Sequence, residues 1–340
     1  MFDIKVTLPS HGKNLNFTNF HSTKNSHKYK FHINSKIKTA DVWIVFEDLK
    51  DKVEYCKVPK ENVIYLNNET SFKKNYFFEN HMVEFLNQFN FTYGCYPNLK
   101  QNHINTYPFL PWMIHANHGD SIFNKTNLNY DFFSNFKNTE KQIEMSVICS
   151  NKKNTENHGL RVEFLKILKD HFKDNLQWFG NGFNEIENKF EVISNSKYHI
   201  VLENDSKYNL ISEKLYDAYL GLSFPIYYGA PNINDYFDKN SLKTVNINDV
   251  SGSIATIENV IKNNLYENNL NLLTYEKEKV LNDYNLYNRI CEIVENRLIE
   301  SKSGDMIDKL HSSAYFWKKV SSPKKKIKRI LQRKMRLDVN

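Results

Sequence analysis

YHIVLENDSKYNLISEKLYDAYLGLSFPIYYGAPNINDYF, residues 198–237, is the stretch whose reading decides the fold. Its apolar run from Tyr198 to Leu202 stops abruptly at Glu203-Asn204-Asp205, and a polar loop follows to Asn209. From Ser212 the period changes, with Leu215, Ala218, Tyr219 and Leu222 recurring at helical spacing. Ser212 suits the N-cap, where a hydroxyl accepts an orphan backbone N–H, and Glu213 suits the positive end of the helix dipole. Gly221 falls near the helix end, and Phe224–Tyr228 reads as a second buried strand closed by Gly229. Strand, loop, helix, strand is the βαβ unit of a parallel sheet. Ligands of such sheets sit beyond the carboxyl ends of the strands and at helix N-termini, which is where Glu203, Asn204, Glu213 and Lys214 fall. Any α/β protein has solvated groups at such places. A lysine in the first turn, however, opposes the helix dipole unless an anion such as a phosphate shares that end.

These residues resemble the donor-binding signature of the family 10 glycosyltransferases, the α-1,3/4-fucosyltransferases. That signature runs F-E-N, then Y-[IV]-T-E-K, a helix, P-I-Y-W/Y-G and N-[IY]-x-x-[FY]. Here the corresponding text is Leu202-Glu203-Asn204, Ile211-Ser212-Glu213-Lys214, Pro225–Gly229 and Asn232–Tyr236. The resemblance implies a donor GDP-sugar held by Glu203, Asn204, Glu213 and Lys214. Where relatives carry Tyr before [IV]-T-E-K this chain has Leu210, which leaves the identity of the donor sugar open.

Composition places the chain among globular proteins. Its 340 residues are 40% hydrophobic, 14% aromatic and 25% charged, enough to bury two cores. Cys56, Cys95, Cys149 and Cys291 are widely spaced with no C-x-x-C pair, and read as reduced thiols. The opening residues MFDIKVTLPS lack the apolar core of a signal peptide, and no window reaches the roughly 18 apolar residues of a membrane span. The expectation is a cytoplasmic enzyme. The net charge of +7 is concentrated after Pro323, where Lys324, Lys325, Lys326, Lys328, Arg329, Arg333, Lys334 and Arg336 leave the rest of the chain nearly neutral. Ile327, Ile330, Leu331 and Met335 line one face of that tail, so residues 321–340 read as a basic amphipathic segment for an anionic membrane surface. Nucleic acid is not expected as a partner, because the tail offers no aromatic platform for bases.

In the first half, Ala40–Phe46 and Val63–Leu66 read as buried strands. The second ends in Asn67-Asn68-Glu69-Thr70-Ser71. In family 10 members a strand of this kind leads to an E-S-P or E-P-P turn whose Glu is the general base, so the resemblance gives that role to Glu69. The usual proline is missing here. His115 and His118 form an H-x-x-H without the context of a metal site, and no metal ligands are expected. Asn138–Glu144 is polar and aperiodic, and reads as a hinge.

The second half opens on the strand Met145–Cys149, which ends at Ser150-Asn151, and continues into a helix expected from about Gly159 to Phe172 with Arg161 in its first turn. An arginine there fits a diphosphate, whose oxygens its fork can take in pairs. The family segment S-N…R-x-x-[FY]-x-x-x-L matches this region and implies donor contacts from Asn151 and Arg161. Trp178-Phe179-Gly180-Asn181-Gly182 resembles the family's G-x-G turn, where Gly182 lets the backbone approach a nucleotide. From Val250 to about Val320 the periodicity predicts two or three helices.

The expectation is therefore an α/β protein of the GT-B architecture: two Rossmann-like domains facing a cleft, with a C-terminal basic amphipathic tail. Residues 1–140 form the acceptor domain, 141–320 the GDP-sugar domain and 321–340 the tail. The implied reaction moves L-fucose, or a related sugar, from a GDP-sugar to a hydroxyl of an oligosaccharide or glycolipid such as lipopolysaccharide. It inverts the anomeric carbon, forms an α-1,3 linkage and needs no cofactor, on the inner face of the cell membrane. Two alternatives stand beside it. One is a metal-dependent GT-A transferase that uses the E-x-D spacing of Glu203 and Asp205. The other is a non-catalytic glycan-binding protein that keeps the fold.

Overall fold

The computed structural model describes residues 1–8, 19–20, 28–68, 76–95, 102–115, 127–151, 156–186, 188–300 and 304–320. Glu69, His118 and the basic tail 321–340 lie outside the described residues. The chain divides into two compact units: Met1–Lys13, His27–Asn105 and Glu295–Asn340 make the first, Asn14–Ser26 and Thr106–Val294 the second. The chain passes between units after Asn105 and after Val294, whereas composition suggests divisions at 140 and 320. Asn138–Glu144 lies inside the second unit, where the Lys141 ammonium donates to the carbonyls of Ser194 (2.7 Å) and Gly221 (2.8 Å).

The first unit begins with β1 (Phe2–Thr7), β2 (Tyr29–Ile33), β3 (Val42–Phe46), β4 (Val53–Pro59), β5 (Val63–Leu66), α1 (Asn80–Leu86), β6 (Phe91–Gly94) and β7 (His103–Asn105). Six of these strands form a sheet in the order β2-β1-β3-β5-β6-β7, every pair parallel. VWIVF and VIYL are buried along their whole lengths, the mark of parallel strands covered on both faces. One face carries Trp43, Val45, Tyr65, Phe85 and Phe89 in a common core. The strand order reverses between β1 and β3.

The second unit contains α2 (Tyr130–Asn135), β8 (Ile143–Ile148), α3 (Glu156–Phe172), β9 (Leu176–Phe179), α4 (Lys189–Ser194), β10 (Ser196–Leu202), α5 (Glu213–Leu220), β11 (Phe224–Tyr228), β12 (Lys243–Thr244), α6 (Val250–Lys262), α7 (Leu265–Asn268), α8 (Leu270–Asn282) and α9 (Leu286–Glu300). Its parallel sheet has the order β12-β11-β10-β8-β9. The stretch 198–237 is thus β10–α5–β11, with β10 and β11 adjacent. From β8 the chain moves to β9 on one side, then crosses to β10 on the other. The carboxyl ends of β8 and β10 therefore flank the topological switch point, where ligands of doubly wound sheets bind.

α9 carries the chain from the second unit into the first. There β13 (Met306–His311) pairs antiparallel with β4, and α10 (Ser313–Val320) follows. The strand corrects the all-helix expectation for 250–320. MIDKLH buries only Leu310 fully, so its apolar pattern is too sparse to announce a strand, and pairing with β4 supplies the order. Three of the four cysteines, Cys56, Cys95 and Cys149, are buried. His115 is buried, its ring 6.2 Å from that of Phe20. Among the described residues no helix is long and apolar enough to cross a membrane.

The second sheet carries a buried polar seam. Ser146 Oγ lies 2.8 Å from His199 Nδ1 and 2.7 Å from Ser196 Oγ, and the Ser196 hydroxyl donates to Val192 O at 2.7 Å. Burial, with a smaller contribution from Lys189, lowers His199 to about 3. The unfolded chain takes up a proton near pH 6.5 that the folded chain refuses. Stability present above that pH should be lost as the pH falls toward 3, at about 1.4 kcal/mol per unit. Denaturant unfolding of the wild type and His199→Gln across this range checks it: the slope should flatten in the variant, and equal slopes would assign it to other groups.

Candidate functional site

The centre of the site is the passage from β10 into α5. Glu203, the residue after the strand, is 1% exposed. Its Oε1 accepts from the Ser212 backbone N–H (2.7 Å) and its Oε2 from the Ser212 hydroxyl (2.6 Å). Ser212 is in turn the N-cap of α5 and accepts from the Lys214 backbone N–H at 3.4 Å. The Lys214 ammonium lies 3.0 Å from Ser212 Oγ, 3.1 Å from Glu213 Oε1 and 3.6 Å from Glu203 Oε2. Glu203 therefore faces into the protein and holds the helix start. It positions Lys214 instead of presenting its own carboxylate outward.

The electrostatics follow from burial. Burial pushes the Glu203 carboxyl up, partly offset by Lys214. At Glu213 burial acts in the same sense, but Lys214 and then Lys189 outweigh it and hold the group at about 2. Burial opposes charge on Lys214 as well, yet Glu213 and Glu203 keep its ammonium above the ordinary lysine range. With 28% of its side chain exposed, Lys214 stays charged and accessible at the helix N-terminus.

Arg161 supplies the second cation. α3 starts at Glu156, earlier than the sequence suggests, so Arg161 lies in the second turn and not the first. Its placement has a different cause. One terminal nitrogen donates to Leu202 O (3.0 Å) and to Asn204 Oδ1 (2.9 Å), which ties it to the carboxyl end of β10. Its Nε is buried without a partner among the described residues. Arg161 and Lys214 are near enough to repel one another, and both act on the Cys149 thiol at the end of β8, which burial raises. The fold thus brings these two cations together at the switch point.

Asn151 and Gly182 meet on the other flank. Asn151 N donates to Asn181 O at 3.1 Å, closing the end of β8 onto the turn after β9. Gly182 has φ +87°, and a Cβ there would lie 2.2 Å from Asn151 Nδ2, so only glycine fits beside that side chain.

The structure also gives further residues of this stretch a role. A Cβ on Gly229 would lie 2.5 Å from Glu203 Cγ and 2.2 Å from the Tyr227 hydroxyl, so Gly229 makes room for the buried carboxylate. Tyr227 OH accepts from Ala230 N at 2.9 Å. Asn209, at φ +62°, donates its N–H to Asn232 Oδ1 (2.9 Å), while its Oδ1 accepts from Asn232 Nδ2 (2.8 Å) and Tyr236 OH (2.5 Å). These bonds fix the loop between β10 and α5. A cavity of about 390 Å³ lies at the carboxyl ends of β11 and β12, lined in part by Ser206, Tyr228, Asn246 and Asn248.

The E-x-D pair does not converge on a common point. Glu203 is engaged by Ser212 and Lys214, whereas Asp205 accepts from Asn157 Nδ2 (3.0 Å) and pairs with Lys207 (2.6 Å). Among the described residues no group of three His, Cys, Asp or Glu side chains is arranged to hold a metal ion.

No protein-family model matches the chain. Over 101 residues it is 34% identical to the alpha-(1,3)-fucosyltransferase FucT of Helicobacter pylori, a match covering 27% of this chain. The chain spans 20% of that relative's length. Two solved structures share its fold. A crystal structure of an alpha1,3-fucosyltransferase aligns with TM-score 0.51 at 15% identity, and one of alpha1,3-fucosyltransferase with GDP aligns with TM-score 0.50 at 16% identity. Each alignment covers 89% of this chain and 91% of the other. The fold is thus one that the α1,3-fucosyltransferases have.

The Glu203 geometry makes a specific prediction. Glu203→Ala leaves the Ser212 hydroxyl without its acceptor and removes one of two carboxylates beside Lys214, and should lower stability by about 3 kcal/mol. Chemical denaturation checks this; a variant as stable as the wild type would show that Glu203 does not hold α5.

Proposed function

We propose that this chain is a glycosyltransferase that moves L-fucose, or a closely related sugar, from a GDP-sugar to a hydroxyl of a surface glycan. The observation that carries the reading is the pair Arg161 and Lys214, held together at the switch point of the second sheet. Departure of a nucleoside diphosphate builds negative charge on its terminal phosphate, and fixed cations stabilise that charge where it develops. Lys214 adds its charge to the positive end of the α5 dipole, a place suited to phosphate. Asn204, Glu213, Asn151 and the backbone near Gly182 orient the donor, and Glu203 acts through Lys214.

In this reaction the acceptor oxygen attacks the anomeric carbon as the bond to the diphosphate breaks. Glu69 takes the hydroxyl proton, and GDP leaves with the bonding electrons. Attack from the face opposite the leaving group inverts the centre, so a β-linked donor gives an α-linked product. The α-1,3 linkage, a lipopolysaccharide-type acceptor, independence of any cofactor and attachment to the inner membrane surface through residues 321–340 belong to the same proposal. Support for the donor comes from the fold shared with an alpha1,3-fucosyltransferase structure described with GDP. Support for the membrane role comes from the tail's basic and apolar pattern. The metal-dependent alternative is weakened by the separate partners of Glu203 and Asp205, and activity that survives excess chelator would remove it.

Release of GDP from GDP-fucose in the presence of acceptor glycans tests the reading. Glycan binding without release from any GDP-sugar would favour a non-catalytic glycan-binding protein. Two substitutions separate the roles. Lys214→Ala should weaken GDP binding roughly 10- to 100-fold, the loss of one charge-assisted hydrogen bond; titration calorimetry on a variant shown to be folded measures it, and unchanged affinity removes Lys214 from the donor site. Glu69→Gln should leave GDP affinity intact and reduce turnover roughly 100-fold. Wild-type turnover would send the search for the base elsewhere.

A further inference from the structure

The first unit carries a cavity of about 520 Å³ between the segment that leaves β2 and strand β4. The chain turns at Asn34, whose φ is +49°, and then runs along β4, with Lys57 N donating to Lys38 O at 2.8 Å and Ala40 N to Lys57 O at 3.1 Å. Lys5, 2% exposed, donates to Ser35 O (2.8 Å) from beneath and stands 3.6 Å from Glu54 Oε2. Glu54 also accepts from Thr7 Oγ1 and from Lys50 N, each at 3.0 Å. The charges of Lys5 and Glu54 thus satisfy one another within the wall.

The rest of the lining is unbalanced. Lys36, Lys38, Lys50 and Lys57 border the same cavity against only Asp51 and Asp308. None of these six side chains makes an ion pair among the described residues. Four like charges around one hollow repel one another, and an anion relieves that repulsion. Two further polar groups lack partners among the described residues: Asn34 Nδ2 and Ser35 Oγ are shielded from solvent and make no hydrogen bond. Asn34 Oδ1 meanwhile accepts from Leu8 N at 2.9 Å, so the amide orientation is fixed. Neither atom is reached by solvent, so the groups that meet a ligand are the lysines and carboxylates that border the hollow.

We infer that this cavity binds an anionic saccharide. The lysines receive its acidic group, Asp51 and Asp308 accept from its hydroxyls, and Tyr55, 66% exposed, offers a ring to a sugar face. The two carboxylates disfavour a nucleic acid, whose phosphates follow one another along the strand. A lipid surface asks for protruding apolar side chains, and the lining offers little beyond Tyr55 and the half-buried Ile37 and Val53. On the transferase reading, the ligand is a charged sugar of the acceptor glycan other than the one that reacts; that clause rests on the reading, whereas the binding does not.

Calorimetric titration of the full chain with lactose, a lactose phosphate and sialyllactose, without donor, tests the site. At least one charged sugar should bind roughly tenfold or more tightly than lactose, and the preference should shrink as salt is raised. Which of the two binds identifies phosphate or carboxylate as the acidic group. Lys36→Ala/Lys38→Ala/Lys57→Ala should abolish the preference and leave GDP affinity unchanged. Equal affinity for the three sugars, a preference that survives the triple substitution, or capture by phosphatidylserine vesicles without any sugar preference would overturn the proposal. No arm measures turnover, so failure here leaves the transferase reading intact, and a chain that releases no GDP can still pass.

Discussion

A single buried carboxylate sets the geometry of the second unit. Glu203 directly follows β10 and is buried, with both oxygens occupied by Ser212. Removing a carboxylate from water is unfavourable by several kcal/mol unless hydrogen bonds and an opposite charge replace the solvent. Ser212 provides the bonds and Lys214 the charge. That one requirement fixes where the helix starts, which way its dipole points and where the lysine stands. It also dictates glycine at 229, because any side chain there would strike Glu203.

The consequence is a site assembled before any ligand arrives. Arg161 is tied to Leu202 and Asn204, Lys214 to Ser212 and Glu213, and Asn151 to the turn at Gly182. Two cations held together beside a helix N-terminus repel each other, and the fold supports that repulsion with buried hydrogen bonds. Such preorganisation suits a reaction in which charge develops on a leaving group, because little reorganisation is left for the moment of bond breaking. The second terminal nitrogen of Arg161, which makes no hydrogen bond among the described residues, and the accessible face of Lys214 are the groups still open to a ligand.

Much of this was legible in the sequence. The β10–α5–β11 unit follows from an apolar run that stops at Glu203, a helical period from Leu215 and a second apolar run at Phe224. Asn204, Glu213 and Lys214 fall at the strand end and helix start, as the βαβ reading requires. What the sequence hid was direction. Glu203 and Asp205 are neighbours in the chain with carboxylates on different partners, and no spacing rule says that Glu203 turns inward. Arg161 was placed one turn too early, because the polar residues from Glu156 carry no apolar period. β13 was missed for a similar reason: an exposed, charged strand depends on β4 for its order, and that partner lies about 250 residues earlier. The division of the chain into units was obscure because contacts between its two ends leave no local mark.

The central claim is that Arg161 and Lys214 grip a nucleotide diphosphate at the switch point of the second sheet. A crystal structure of the chain with GDP tests it most directly. The account predicts the diphosphate within hydrogen-bonding distance of both side chains, at the N-terminus of α5. GDP bound elsewhere, or at this place with its phosphates touching neither cation, would contradict it.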